Sequence, residues 1–173
     1  MSSACILLCE YLRERFHYDK LTGQFTFKKC FHRWRVGTRA GHLHHSGYRC
    51  ININGKMHQE HRLAWIYVHG SIPTEMIDHR DGDKSNNIFS NLRCATREQN
   101  TSNALRRCDN KSGVKGVDWH PLCKKWQCRV QSGKVRVVIG YYEKLEEAIK
   151  AICSYREEVH QEFTNHGDIY GTI

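Results

Sequence analysis

The chain has 173 residues and a formal charge of +9, from 27 Lys and Arg against 18 Asp and Glu. That length supports one moderate core or two small ones, and the charge favours a polyanionic partner, either a nucleic acid or an anionic membrane surface. No apolar run reaches the roughly 18 residues that a spanning helix needs, which excludes one. The apolar piece at 4–9 is too short for a signal-peptide core and has no basic residue before it, so a cytoplasmic location is expected. In that reducing compartment most of the nine cysteines, none of them in a CxxC pair, read as small buried apolar groups, and no zinc is expected.

Residues 2–16 put Ile6, Leu8, Cys9, Tyr11, Leu12 and Phe16 on one face of a short helix, with Ser2 or Ser3 as N-cap. A hairpin follows, in which Thr22-Gly23 turns the chain between Tyr18 and the alternating Phe25 and Phe27. Residues 28–39 interleave cations with Phe31 and Trp34, a composition that can track a phosphate backbone and stack on bases. Arg33, Arg35 and Arg39 are phosphate-contact candidates there; the alternative is a solvated basic loop anchored by its Trp. Asn54-Gly55 marks a second hairpin. It feeds a helix over 60–69 with Leu63, Ala64, Ile66 and Tyr67 at packing spacing, and Pro73 breaks the run beyond it. His61, at the start of that helix, reads as a capping or packing residue, or as a hydrogen-bond partner of a nearby site; it is not placed among the catalytic residues.

The stretch from 76 to 100, MIDHRDGDKSNNIFSNLRCATREQN, concentrates polar chemistry. Asp78 offers a hard carboxylate oxygen suited to Mg²⁺ or Mn²⁺, and Asn100 an amide oxygen for the same ion. His79 is the side chain whose ordinary pKa lies nearest neutrality, so it can take a proton from water. Together they make a metal-assisted hydrolysis site. Asp81, Asp83, Asn86 and Asn87 read as turn residues.

The order Asp78-His79, Asn91, Asn100 resembles the HNH endonucleases, whose core is a ββα-metal finger. The resemblance implies a strand over 76–79 ending on the Asp-His pair, a second strand over 91–95 opened by Asn91, and a helix from about Thr96 that presents Asn100; the residues beyond continue that helix through Arg107. Asn stands at 100 where the family often has His, as in a metal-binding subset of it. It implies that His79 is the general base, that Asp78 and Asn100 hold one divalent ion, and that Asn91 shapes the loop that orients His79. Arg80, Lys84 and Arg97 are adjacent candidates for phosphate contact. The Thr-Gly hairpin and the EHRLAW helix followed by a Gly-x-x-Pro turn extend the likeness to roughly residues 17–104.

After a polar linker at 109–113 the pattern becomes three strands, over 113–120, 125–131 and 135–142, and an amphipathic helix over 145–163. Gly116-Val117, Trp126, Gly140-Tyr141, Glu146-Glu147-Ala148 and Ala151 resemble the skeleton of the AP2 DNA-binding domain, which implies a three-stranded sheet laid in the major groove. Strand alternation turns Trp126, Cys128 and Val130 under the helix and Gln127, Arg129 and Gln131 away from it, with Val137 and Ile139 inward and Arg136 and Val138 outward. Arg129, Gln131 and Arg136, with Lys134 in the turn and His120 in the first loop, are the DNA-contact candidates.

The expected fold is therefore α+β. N-terminal hairpins and a helix lead into a ββα-metal finger (about 76–106) within a nuclease domain at 1–108; an AP2-like domain at 114–163 and a tail at 164–173 follow the linker. The expected function is metal-dependent hydrolysis of double-stranded DNA by a monomer that nicks one strand at a time, in the manner of a phage- or intron-borne homing enzyme acting in the host cytoplasm. Two other readings stand beside it: an AP2-type DNA-binding regulator with an inactive nuclease remnant, and a non-specific nuclease.

Overall fold

A computed structural model describes residues 3–29, 35–104, 110–132, 135–160 and 164. The chain divides into two compact units, Met1–Ala95 and Thr96–Ile173, each built of helices and small antiparallel sheets. No helix among the described residues is long and apolar enough to cross a membrane.

In the first unit, helix α1 (Ser3–Arg15) passes without a loop into the hairpin of β1 (Phe16–Asp19) and β2 (Gln24–Phe27). The register pairs Phe16 with Phe27 and Tyr18 with Phe25, so alternation sends Phe16, Tyr18 and Phe25 into the core beside Leu12 of α1. Asp19 closes the turn by accepting from the Leu21 amide at 2.9 Å and the Thr22 hydroxyl at 2.9 Å.

The next sheet has the order β3 (His42–Leu43), β4 (Arg49–Ile53), β5 (Lys56–Gln59). Asn54 and Gly55 take the positive φ pair, 51° and 79°, that a two-residue hairpin requires. Strand β3 went unforeseen because two residues display no alternation. Helix α2 (Glu60–His69) continues directly from β5, buries Leu63, Ala64 and Ile66, and ends on Gly70 in the left-handed conformation. The ribbon of β6 (Met76–His79) and β7 (Leu92–Ala95) then pairs Asp78 with Arg93 and His79 with Leu92. Asn91 belongs to a 3₁₀ turn, Phe89–Asn91, so β7 begins one residue later than the resemblance implied. Ile77 and Leu92 join the core formed by Phe16, Tyr18, Phe25, Leu63 and Ile66.

The second unit opens with helix α3 (Arg97–Asn103), started by a capping box in which Thr96 and Gln99 bond each other's backbone amides. The helix ends at Asn103, with Ala104 already extended at ψ 140°; 105–107, over which it was expected to run on, lie outside the described residues. The Lys115 ammonium takes up the exposed carbonyls, donating to those of Thr101, Ser102 and Ala104 at 3.3, 2.8 and 2.7 Å, so the last turn is satisfied from outside the helix. The proposed linker begins at 109, within 105–109, which lies outside the described residues.

A sheet of order β10-β9-β8 follows, from β8 (Val117–His120), β9 (Lys125–Ser132) and β10 (Val135–Tyr142), with helix α4 (Leu145–His160) packed on it. The first strand starts at Val117, later than expected at 113, because Gly113 and Gly116 both take positive φ in a turn closed by the Val117 amide on the Val114 carbonyl. Val117, Cys128, Val130, Ala148 and Ile152 form this unit's core. The alternation expected of β9 holds, with Cys128 and Val130 buried beneath α4 and Gln131 exposed. Expected helical residues 161–163, Gly133 of the turn and the tail at 165–173 lie outside the described residues.

Gly23 sits where the first hairpin meets the loop between β6 and β7. Its φ is +69°, and a β-carbon there would lie 2.3 Å from the carbonyl carbon of Asn87. Gly23→Ala is expected to lower stability by about 2 kcal/mol or more, from the left-handed backbone and the backbone clash together. Thermal or urea unfolding against wild type checks this.

Candidate active site

Asp78 and His79 end β6 and are almost withdrawn from water, at 5% and 4% exposure. Two such groups on a four-residue strand need partners. For Asp78 the partner stands directly across the ribbon, where buried Arg93 donates Nε to Oδ2 at 2.9 Å. For His79 it comes from the loop, with Asn87 Oδ1 3.1 Å from the ring Nε2.

Asn87 is itself 2% exposed. Its amide Nδ2 donates to Glu60 Oε2 at 3.1 Å, and Glu60, with no exposure at all, takes Arg49 Nε on Oε1 at 3.2 Å. Burial pushes the Glu60 carboxyl above its ordinary pKa, against the opposing pull of Arg49, Asn87 and Arg39. The backbone around Asn87 is pinned as well: Tyr18 donates its hydroxyl to the Asn87 carbonyl at 2.6 Å, and the Phe89 amide donates to the Lys20 carbonyl at 3.0 Å.

His61 stands edge-on to His79, with ring centroids 4.9 Å apart, and Tyr48 lies 5.2 Å from His61. It is 4% exposed and its Nδ1 has no hydrogen-bond partner. Burial, with His79 and Arg62 beside it, drives its pKa down to about 3, so it is a neutral packing ring against the site histidine.

Asn91 ties the loop to the ribbon. Its side-chain oxygen accepts from the Asp81 amide at 3.1 Å, its Nδ2 donates to Asp81 Oδ1 and to the Asn86 carbonyl, each at 2.9 Å, and its own carbonyl accepts from the Arg80 amide at 2.9 Å. Asp81 is the other hub, with Oδ1 also accepting from the Asp83 amide and Oδ2 from Asn86 Nδ2. Thus Asp81, Asp83 and Asn86 make turns, as their residue types imply, whereas Asn87 turns inward and holds His79.

The remaining candidates are dispersed. Arg35 lies over the Phe27 ring at 6.0 Å, Arg39 bridges to Thr26, and Lys84 reaches the Ser46 carbonyl at 3.3 Å while lying 5.0 Å over the Tyr48 ring. Arg39, Arg80, Lys84 and Arg97 are exposed. Asn100 is half-buried on α3, in the second unit. On the outer face of that unit's sheet Gln131 and Arg136 are exposed and paired across β9 and β10, and His120 stands edge-on to Tyr141 at 5.6 Å. Arg129 is not idle there: its Nε and Nη2 both engage Asp118 Oδ2 on the neighbouring strand. Arg33 and Lys134 lie outside the described residues.

Among the described residues no group of three His, Cys, Asp or Glu side chains gathers to hold a metal. Sequence reasoning missed Glu60, Asn87, Arg49 and Arg93. An acidic residue opening a helix reads as exposed dipole compensation, and an Asn-Asn pair reads as a turn.

A histidine held by a buried amide thus lies next to a carboxylate on a two-stranded ribbon, in a chain of charge +9. A family model described as HNH endonuclease matches residues 58–102, a span that contains the whole ribbon. Protein 3.8 of Escherichia phage T7 is 32% identical over 110 residues, covering 62% of this chain and 89% of that one. A protein of Acanthamoeba polyphaga mimivirus named as an uncharacterized HNH endonuclease is 41% identical over 78 residues, or 44% of this chain and 41% of its own. The DNA endonuclease I-HmuI of Bacillus phage SP01 is 38% identical over 66 residues, or 35% and 38%. The chain thus spans well under half the length of these last two relatives. No solved structure matches it. The chain carries an HNH endonuclease domain over residues 58–102 and is a DNA-cleaving hydrolase.

His61 gives the site an acid limit. Its folded pKa, about 3, lies below the ordinary 6.5, so the unfolded chain binds more protons between those values. Stability that is present above pH 6.5 is then lost as pH falls toward 3. His61→Phe is expected to flatten that slope, measured as the urea midpoint between pH 7 and pH 4 (about 3 pH units, across the window set by the shift).

Proposed function

We propose that the chain is a metal-dependent endonuclease of double-stranded DNA, with His79 as general base and Asp78 and Asn100 as metal ligands. The observation that carries this is the buried His79, held by Asn87 on the strand it shares with Asp78. Carboxylate and amide oxygens are hard donors. With Arg93 already holding one oxygen of Asp78, the set suits a cation that keeps most of its water, as Mg²⁺ or Mn²⁺ does. When bound, such a cation supplies charge for the scissile phosphate and the departing 3′ oxygen.

His79 takes the proton of the attacking water. Asn91, through its bonds to the Asp81 amide and the Asn86 carbonyl, keeps the intervening loop closed so that Asn87 stays against the ring. Arg80, Lys84 and Arg97 neutralise phosphate oxygens on either side. Arg35 and Arg39, with Arg33, extend that contact along the backbone.

The domain division belongs to the same proposal: nuclease at 1–108, linker at 109–113 and an AP2-like DNA-binding domain at 114–163. The three-stranded sheet under α4 supports it, with Gln131, Arg136 and His120 on the outer face and Lys134 in the turn. Arg129 reads a base only by releasing Asp118, so its contribution to sequence choice is the weaker one. One site per chain cuts one strand per encounter, and a monomer nicks. Homing-type specificity follows from a cutting head joined to a groove-reading sheet.

His79→Ala is expected to reduce cleavage by about 10²-fold or more while DNA binding stays within about twofold. Asp78→Ala and Asn100→Ala are expected to raise the Mg²⁺ concentration needed for half-maximal rate. Cleavage of a labelled duplex under single turnover, beside a gel-shift titration, measures both. Wild-type cutting by His79→Ala would refute the assignment.

A further inference from the structure

We propose that Glu60 and Asn87 are positioning residues that set the tautomer of His79, Glu60 acting through Asn87. This rests on the reading of His79 as general base.

With Glu60 ionised against Arg49, the direction of each bond in the relay follows from its donors and acceptors. Arg49 Nε can only donate, so Glu60 Oε1 accepts from it at 3.2 Å. Glu60 Oε2, the other end of the same fully buried carboxylate, faces Asn87 Nδ2 at 3.1 Å, and an amide turned the other way would set two acceptors against each other. The Asn87 amide is therefore oriented with Oδ1 toward His79 Nε2 at 3.1 Å. An acceptor there requires the proton on Nε2, and in the neutral ring the basic lone pair then falls on Nδ1.

The relay has little room to rearrange. A β-carbon on Gly41 would lie 2.5 Å from Glu60 Oε1, which shows how closely the backbone approaches that carboxylate. Asn87 is fixed from behind by Tyr18 and by the Gly23 turn. Nothing in this chain of bonds touches substrate, which makes Glu60 a positioning residue. Its work is to choose which ring nitrogen is basic.

The isosteric change Glu60→Gln gives a sharp expectation. Arg49 holds the oxygen end of the substituted amide, so its NH₂ end faces Asn87. The Asn87 amide turns over in response and presents Nδ2 to His79 Nε2, which can accept only if the ring proton moves to Nδ1. The relay is inverted with hardly any change in volume.

The test uses the full chain labelled with ¹⁵N-histidine, His79 being assigned by its absence from the His79→Gln spectrum, together with cleavage kinetics on a duplex in Mg²⁺. Wild type is expected to show His79 as the Nε2–H tautomer. Glu60→Gln is expected to show Nδ1–H, with kcat lower by about 10- to 100-fold and KM for DNA within about twofold. In an Asn87→Ala background Glu60→Gln is expected to cost nothing further, because the link is already cut. Retention of Nε2–H and of wild-type kcat by Glu60→Gln would overturn the proposal, as would losses that multiply in the double variant. If Asn87→Ala does not fold, the tautomer of Glu60→Gln decides alone. An inverted tautomer with unchanged kcat would uphold the relay and refute His79 as the base.

Discussion

A carboxylate and an imidazole buried side by side on a four-residue strand each need a partner, because leaving either unsatisfied costs on the order of 1–3 kcal/mol or more. Much of the first unit is arranged to meet that demand. Arg93 arrives across the ribbon because the register places it opposite Asp78. Asn87 arrives from the loop because Tyr18 and the Gly23 turn press its backbone inward. Glu60 arrives from the start of α2, and Arg49 from β4, so three separate elements converge on one ring nitrogen.

The hairpin and the short sheet are the supports of that ribbon. A two-stranded ribbon alone is marginal in water and could not hold a buried polar pair in a fixed geometry. The aromatic core of Phe16, Tyr18 and Phe25 anchors the hairpin, and the hairpin's turn is the wall on which the loop rests. In the second unit Lys115 plays a comparable part by ending α3, the helix that carries Asn100, on three carbonyls.

What the residues disclosed was local. The 60–69 helix, the 76–79 strand and the three-strand-and-helix order were legible because apolar spacing and turn residues mark them directly. Asp78, His79, Asn91 and Asn100 stood out because their chemistry and order form a recognisable set. Glu60 did not, since its partners Arg49 and Asn87 are 11 and 27 residues away and only folding brings them together. Asn87 was hidden by its neighbour, as two adjacent asparagines read as one turn. The end of α3 at Asn103 could not be read either, since the group that stops it lies beyond the helix at Lys115.

Supercoiled plasmid tests most directly the proposal that this buried pair is a metal-dependent cutting site for double-stranded DNA. Incubated with the full chain and Mg²⁺, the plasmid should give open circles before any linear product, and excess EDTA should stop the reaction. Cleavage that persists in EDTA, or linear DNA formed without an open-circle intermediate by a monomeric chain, would contradict the account.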